Sequence, residues 1–170
     1  MFKFLQTLFL AILISYSLNA KSQNYLIKGN VKQTSSYCGG ARPSQEMLDE
    51  FATPKPFPNK TFYVRKGKTN NINNKIIATF KSDTNGNFTF KLPPGTYSIL
   101  VEEQTKPIKT QDYTNKYQTA DDKCLQTWWQ KPYYLLTIKK KNKPLNFLFH
   151  HSCYLNTDIP CITYIGPKHP

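Results

Sequence analysis

Ser82-Asp83-Thr84-Asn85-Gly86-Asn87-Phe88-Thr89-Phe90-Lys91-Leu92-Pro93-Pro94-Gly95-Thr96-Tyr97-Ser98-Ile99 holds a β-strand, the turn before it and the corner after it. Asn85-Gly86 tolerates positive φ, as a two-residue hairpin turn demands. Phe88 and Phe90 alternate with polar Thr89, the pattern of a strand with one buried face. Pro93-Pro94 removes two backbone donors and ends that strand before Tyr97, Ile99 and Val101 begin the next.

The same alternation extends outward. Strands are expected over Tyr25–Lys32, Thr61–Lys66, Lys75–Lys81, Asn87–Leu92, Thr96–Glu102, Tyr133–Lys140 and Leu145–His151, with Asn85-Gly86 as the hairpin between the third and fourth. Met47, Leu48 and Phe51 at helical spacing behind Pro43-Ser44 predict one short helix. Pro54, Pro56 and Pro58 make the next stretch an extended connector. Lys106–Lys131 has weak periodicity and reads as a crossing between sheets, with a helical turn near Asp121–Gln126. The expected fold is all-β, a seven-stranded Greek-key sandwich with one helix and a tail from Ser152 that folds back over it.

The run Asp83–Ser98, with its turn, Gly-x-Phe-x-Phe strand and Leu-Pro-Pro-Gly-x-Tyr corner, resembles the carboxypeptidase regulatory-like (transthyretin-like, or prealbumin-like) domains of bacterial secreted proteins. Tyr25–Val31 is similar to that family's opening strand. Two features depart from it: a long link carrying Cys38-Gly39-Gly40-Ala41-Arg42, and an insertion carrying Cys124, Trp128 and Trp129. The resemblance implies a non-catalytic module that accompanies other exported proteins, with no active site and no cofactor.

Residues 1–20 read as an export signal, with Lys3, an apolar run over Leu5–Ile14 and small residues up to Ala20. That run is shorter than a membrane span needs, so no stable span is expected after cleavage. The first cysteine is Cys38, which leaves no lipidation site at the cleavage point. A single domain over 21–170 is therefore expected to be secreted or periplasmic. The chain carries 23 Lys and Arg against 10 Asp and Glu, a net charge of +13. Such a field keeps strand edges apart and attracts polyanions. An exported chain without an RNA-binding or helix-turn-helix motif leaves anionic glycan, not nucleic acid, as the polyanion to expect.

Four cysteines, Cys38, Cys124, Cys153 and Cys161, all fall outside the seven strands. An even count in an oxidising compartment points to two disulfides, with three pairings open. The competing reading is a metal site of His150, His151, Cys153, Cys161 and His169. It is opposed by adjacent strand histidines facing opposite ways and by the absence of a paired CxxC spacing. Ser152 and Cys153 beside His151 do not make a nucleophile with its base, since neighbours in sequence seldom align as a triad. Glu102 and Glu103, read as strand residues, point to opposite faces, which is wrong for a glycosidase pair. The candidate binding surface is therefore Arg42 with Trp128, Trp129, Tyr133 and Tyr134. Read as extended chain, the tandem Trp sends one ring away from the core. A protein partner docking on the Cys38–Arg42 and Thr127–Tyr134 loops is the leading expectation, and anionic glycan bound by the lysine-rich surface together with Trp128-Trp129 the alternative.

Overall fold

The computed structural model describes residues 23–155 and 157–167. The export signal expected over 1–20, and His169, lie outside the described residues. In chain order the elements are β1 (Tyr25–Ser35), α1 (Gln45–Ala52), β2 (Lys55–Pro56), β3 (Thr61–Lys66), β4 (Ile76–Lys81), β5 (Asn87–Leu92), β6 (Gly95–Leu100), β7 (Gln118–Ala120), α2 (Asp122–Gln130), β8 (Tyr134–Ile138), β9 (Leu145–His151) and β10 (Ile162–Tyr164). Short 3-10 turns occupy Glu102–Gln104 and Thr110–Tyr113.

Each of the seven expected strands forms, but the arrangement is not a seven-stranded Greek key. Short β2, β7 and β10 bring the described strands to ten, in three sheets. One sheet is built on β1, which pairs antiparallel with β5 and β2 and parallel with β9. The second runs β4-β3-β6-β8, all antiparallel. The third is β7 with β10. Two helices form where one was expected, because Asp121 caps α2 by accepting from the Cys124 amide at 2.6 Å and the helix continues through both tryptophans. Ser44 caps α1 in the same way, accepting from the Met47 amide.

Asn85-Gly86 does not make a hairpin. It carries the chain from β4 in one sheet to β5 in the other. Asp83 Oδ1 accepts from the Asn85 and Asn87 amides at 2.9 and 2.8 Å, an Asx turn that closes the loop locally. Gly86 then docks on β1, its carbonyl accepting from the Val31 amide at 2.7 Å. Its φ is +77°, and a Cβ there would stand 2.3 Å from the Val31 carbonyl oxygen. The next corner returns the chain to the second sheet, and Tyr97 Oη closes it by donating to Pro93 O at 2.9 Å.

Between the two large sheets lies a core dominated by rings. Phe62 stands at its centre, with centroids 5.1 Å from both Phe80 and Phe147 and 6.1 Å from Phe88, Phe149 and Tyr133. Ile27, Val31, Val64, Ile99, Leu136 and Ile138 fill the space around them. The tail departs from expectation. It pairs with β7 and packs on α2, so that Ile108, Leu125, Ile159, Cys161 and Ile162 form a second, smaller hydrophobic cluster. Trp128 touches both clusters.

Gly86→Ala is expected to lower stability by about 1–3 kcal/mol, because it adds strain at positive φ to a clash with β1. A urea titration checks this, with a lower midpoint at unchanged slope as the outcome.

Candidate functional site

Helix α2 ends without a glycine cap, so its last carbonyls need other donors. They find them in two buried polar residues from elsewhere in the chain, Asn70 and Gln104, and a third, Arg65, stands behind them. Asn70 Nδ2 donates to Trp129 O at 2.9 Å and the Asn70 amide to Gln130 O at 2.8 Å. Gln104 Nε2 donates to Trp128 O at 3.0 Å and Lys131 O at 2.7 Å. Arg65 fixes Asn70 in turn, donating from Nη1 to Asn70 Oδ1 and Asn71 O, both at 2.8 Å, and from Nη2 to Thr105 O at 2.9 Å. The β3–β4 register slips between Val64 and Arg65, where the strand would otherwise keep its strict alternation. Burial holds the Arg65 guanidinium below its ordinary pKa.

With α2 held in this way, Trp128 faces a cleft of about 300 Å³ between β9, the Glu102–Gln104 turn and the tail. Its wall is aromatic and apolar: Trp128, Tyr133, Phe149, Val101, Leu148, Ile159 and Pro160. Lys60, Glu103, His150 and Asp158 supply its polar groups. Tyr133 stacks on Phe149 at 4.8 Å and 6°, and the Lys60 ammonium lies 4.6 Å from the Phe149 centroid, a cation–π contact. Burial first, and the Asp158 carboxylate second, push the Tyr133 phenol up to about 12.

Across β9 a more open recess lies under α1, lined by Ser36, Tyr37, Pro43, Leu48 and Phe51. His150 borders both recesses. Its ring is fixed by Thr34 Oγ1 at 2.9 Å from Nδ1 and Ser36 Oγ at 3.0 Å from Nε2.

The sequence-derived candidates separate accordingly. Trp128 and Tyr133 meet in the cleft. Trp129 does not join them: being helical, it turns into the second cluster, where Nε1 donates to Lys106 O at 2.5 Å. Because α2 is helical, neither tryptophan leaves the fold, and both rings are half-buried. Tyr134 packs its ring against Phe147 and stays largely exposed. Arg42 is exposed beside the α1 recess without lining it. Glu102 and Glu103 lie in a 3-10 turn rather than a strand, and Glu103 reaches the cleft. Arg65, Asn70 and Gln104 were not anticipated. Arg65 sits where an alternating strand places an outward residue, and Asn70 belongs to an ordinary-looking polar loop.

The cysteines pair as Cys38–Cys153 and Cys124–Cys161. Both thiolates of the proposed metal set are thereby consumed, and among the described residues no three His, Cys, Asp or Glu side chains converge on a point. Paired cysteines belong to oxidising compartments. No described helix is long and apolar enough to cross a membrane.

No protein family matches the chain, and no curated protein does. Among solved structures, the Bacillus anthracis TIE protein aligns with 74% of this chain at 17% identity and a TM-score of 0.33. The chain spans 17% of that protein's length. A likeness that distant carries no argument about function.

Two outcomes test this geometry. The folded Tyr133 phenol holds its proton more tightly than the unfolded one. Its contribution to stability is therefore intact below pH 10 and lost as pH rises from 10.0 to about 12. Tyr133→Phe should make that alkaline fall shallower in urea titrations at stepped pH. Replacing Cys124 and Cys161 together with Ala opens a link between residues 37 apart and should cost about 4 kcal/mol on the chain-entropy account, read as a lower urea midpoint.

Proposed function

We propose that this chain is an exported, non-catalytic β-sandwich module that docks to another envelope or secreted protein, in the manner of carboxypeptidase regulatory-like domains. One observation carries the reading. Tyr37 and Pro43 at one recess and Trp128 and Tyr133 at the other, distant in sequence, border two recesses that share His150. A surface with two depressions and half-buried rings suits docking to a partner that reaches into both. Leu48, 41% exposed on α1, and Trp128 are the apolar anchors at its two ends.

The alternative, binding of an anionic glycan, is favoured by a different feature. Lys139, Lys141 and Lys143 border a small depression in the turn between β8 and β9. Binding there would weaken steeply with salt.

Affinity capture from the native host's envelope fraction tests the docking reading. The wild type is expected to enrich one partner that both Leu48→Glu and Trp128→Ala lose. Equal recovery by all three baits overturns it. Retention that salt alone abolishes, and that removal of the turn lysines prevents, would support the glycan reading instead.

A further inference from the structure

Three charged groups at the Trp128 cleft, Lys60, Glu103 and Asp158, have no hydrogen-bond partner among the described residues. Among the described residues the sole ion pair is Lys55 with Glu50, at 3.0 Å. Glu103, Asp158 and the Lys60 ammonium make no hydrogen bond or ion pair there. Two carboxylates and one ammonium gathered at a single aromatic recess constrain the ligand.

A polyanion would be repelled by Glu103 and Asp158, and a cationic side chain by Lys60. Neutral hydroxyls satisfy both kinds of group, donating to the carboxylates and accepting from the ammonium. The wall has the matching shape. Tyr133 and Phe149 cover one another and Lys60 sits at Phe149, which leaves the half-buried Trp128 ring as the platform. A volume of about 300 Å³ is at the lower end for small-molecule sites, room for one ring rather than a length of peptide.

We propose that this cleft binds a single pyranose ring of a neutral oligosaccharide, packed on Trp128, with Glu103, Asp158 and Lys60 reading its hydroxyls. This rests on the reading of that end of the molecule as a binding surface, and it assigns the ligand class of one of the two recesses. The lysine turn between β8 and β9 plays no part in it.

Calorimetric titration of the intact chain with cellohexaose, laminarihexaose, mannohexaose and, as the charged comparison, hexagalacturonate tests the assignment, with tryptophan fluorescence recorded in parallel. At least one neutral hexamer should bind and shift the fluorescence, with an affinity unchanged by salt. Glu103→Gln and Asp158→Asn, which alter groups that make no hydrogen bond or ion pair among the described residues, should each bind about tenfold more weakly, while Leu48→Glu binds as the wild type does. Failure of every neutral hexamer, wild-type affinity in both carboxylate variants, or salt-sensitive binding of hexagalacturonate alone overturns the proposal. Loss of partner capture by Leu48→Glu, if it persists in that case, shows that the docking reading has survived while this one has not.

Discussion

A guanidinium buried in a chain with a large excess of positive charge, and with no carboxylate beside it, has to be stabilised by dipoles. Arg65 is 2% exposed, and its charge is met by the Asn70 side-chain oxygen and the carbonyls of Asn71 and Thr105. Desolvating a charge is costly unless its donors are satisfied; these contacts serve Nη1 and Nη2, while the buried Nε has no hydrogen-bond partner among the described residues, and they fix the loop after β3 and the turn after β6 together. Asn70 and Gln104 then spend their remaining donors on the end of α2. Loss of any member would leave buried donors or acceptors unmet, and the position of Trp128 follows from that constraint.

The rest of the site is assembled at a seam. One wall belongs to the main core, through Phe149 and Tyr133, and the other to the small cluster of α2 and the tail, through Ile159 and Pro160. Two covalent links tie down the irregular segments on either side of it: Cys124–Cys161 ties α2 to the tail, and Cys38–Cys153 ties the loop before α1 to the end of β9. The recesses lie where irregular segments meet the sandwich. There the chain can leave polar groups at a surface without disturbing the sheet ladders.

The strands were legible because burial on one face imposes a period of two, and β5 shows it without exception from Asn87 to Leu92. The helix at Met47–Phe51 was legible for the parallel reason, period and cap together. Asn85-Gly86 was read as a hairpin because local turn chemistry reports the bend and not the sheet that receives the next strand. Glu102 and Glu103 were misread because the alternation of β6 continues to Val101 and nothing in the next residues marks the 3-10 turn. Arg65 left no trace, since it falls at an outward position of an alternating strand.

By itself the sequence determined the β-rich class, the seven main strands, the corner at Pro93-Pro94-Gly95 and an even set of cysteines placed outside those strands. These are consequences of local backbone chemistry and one-sided burial, which neighbouring residues encode. Tertiary structure alone decided which cysteines pair, that β9 lies parallel to β1, that Trp128 and Trp129 separate, and that Glu103, Asp158 and Lys60 share a cleft with Tyr133. Each of these depends on contacts between segments far apart in the chain, and their geometry is set by how two sheets, a helix and a tail fill one volume.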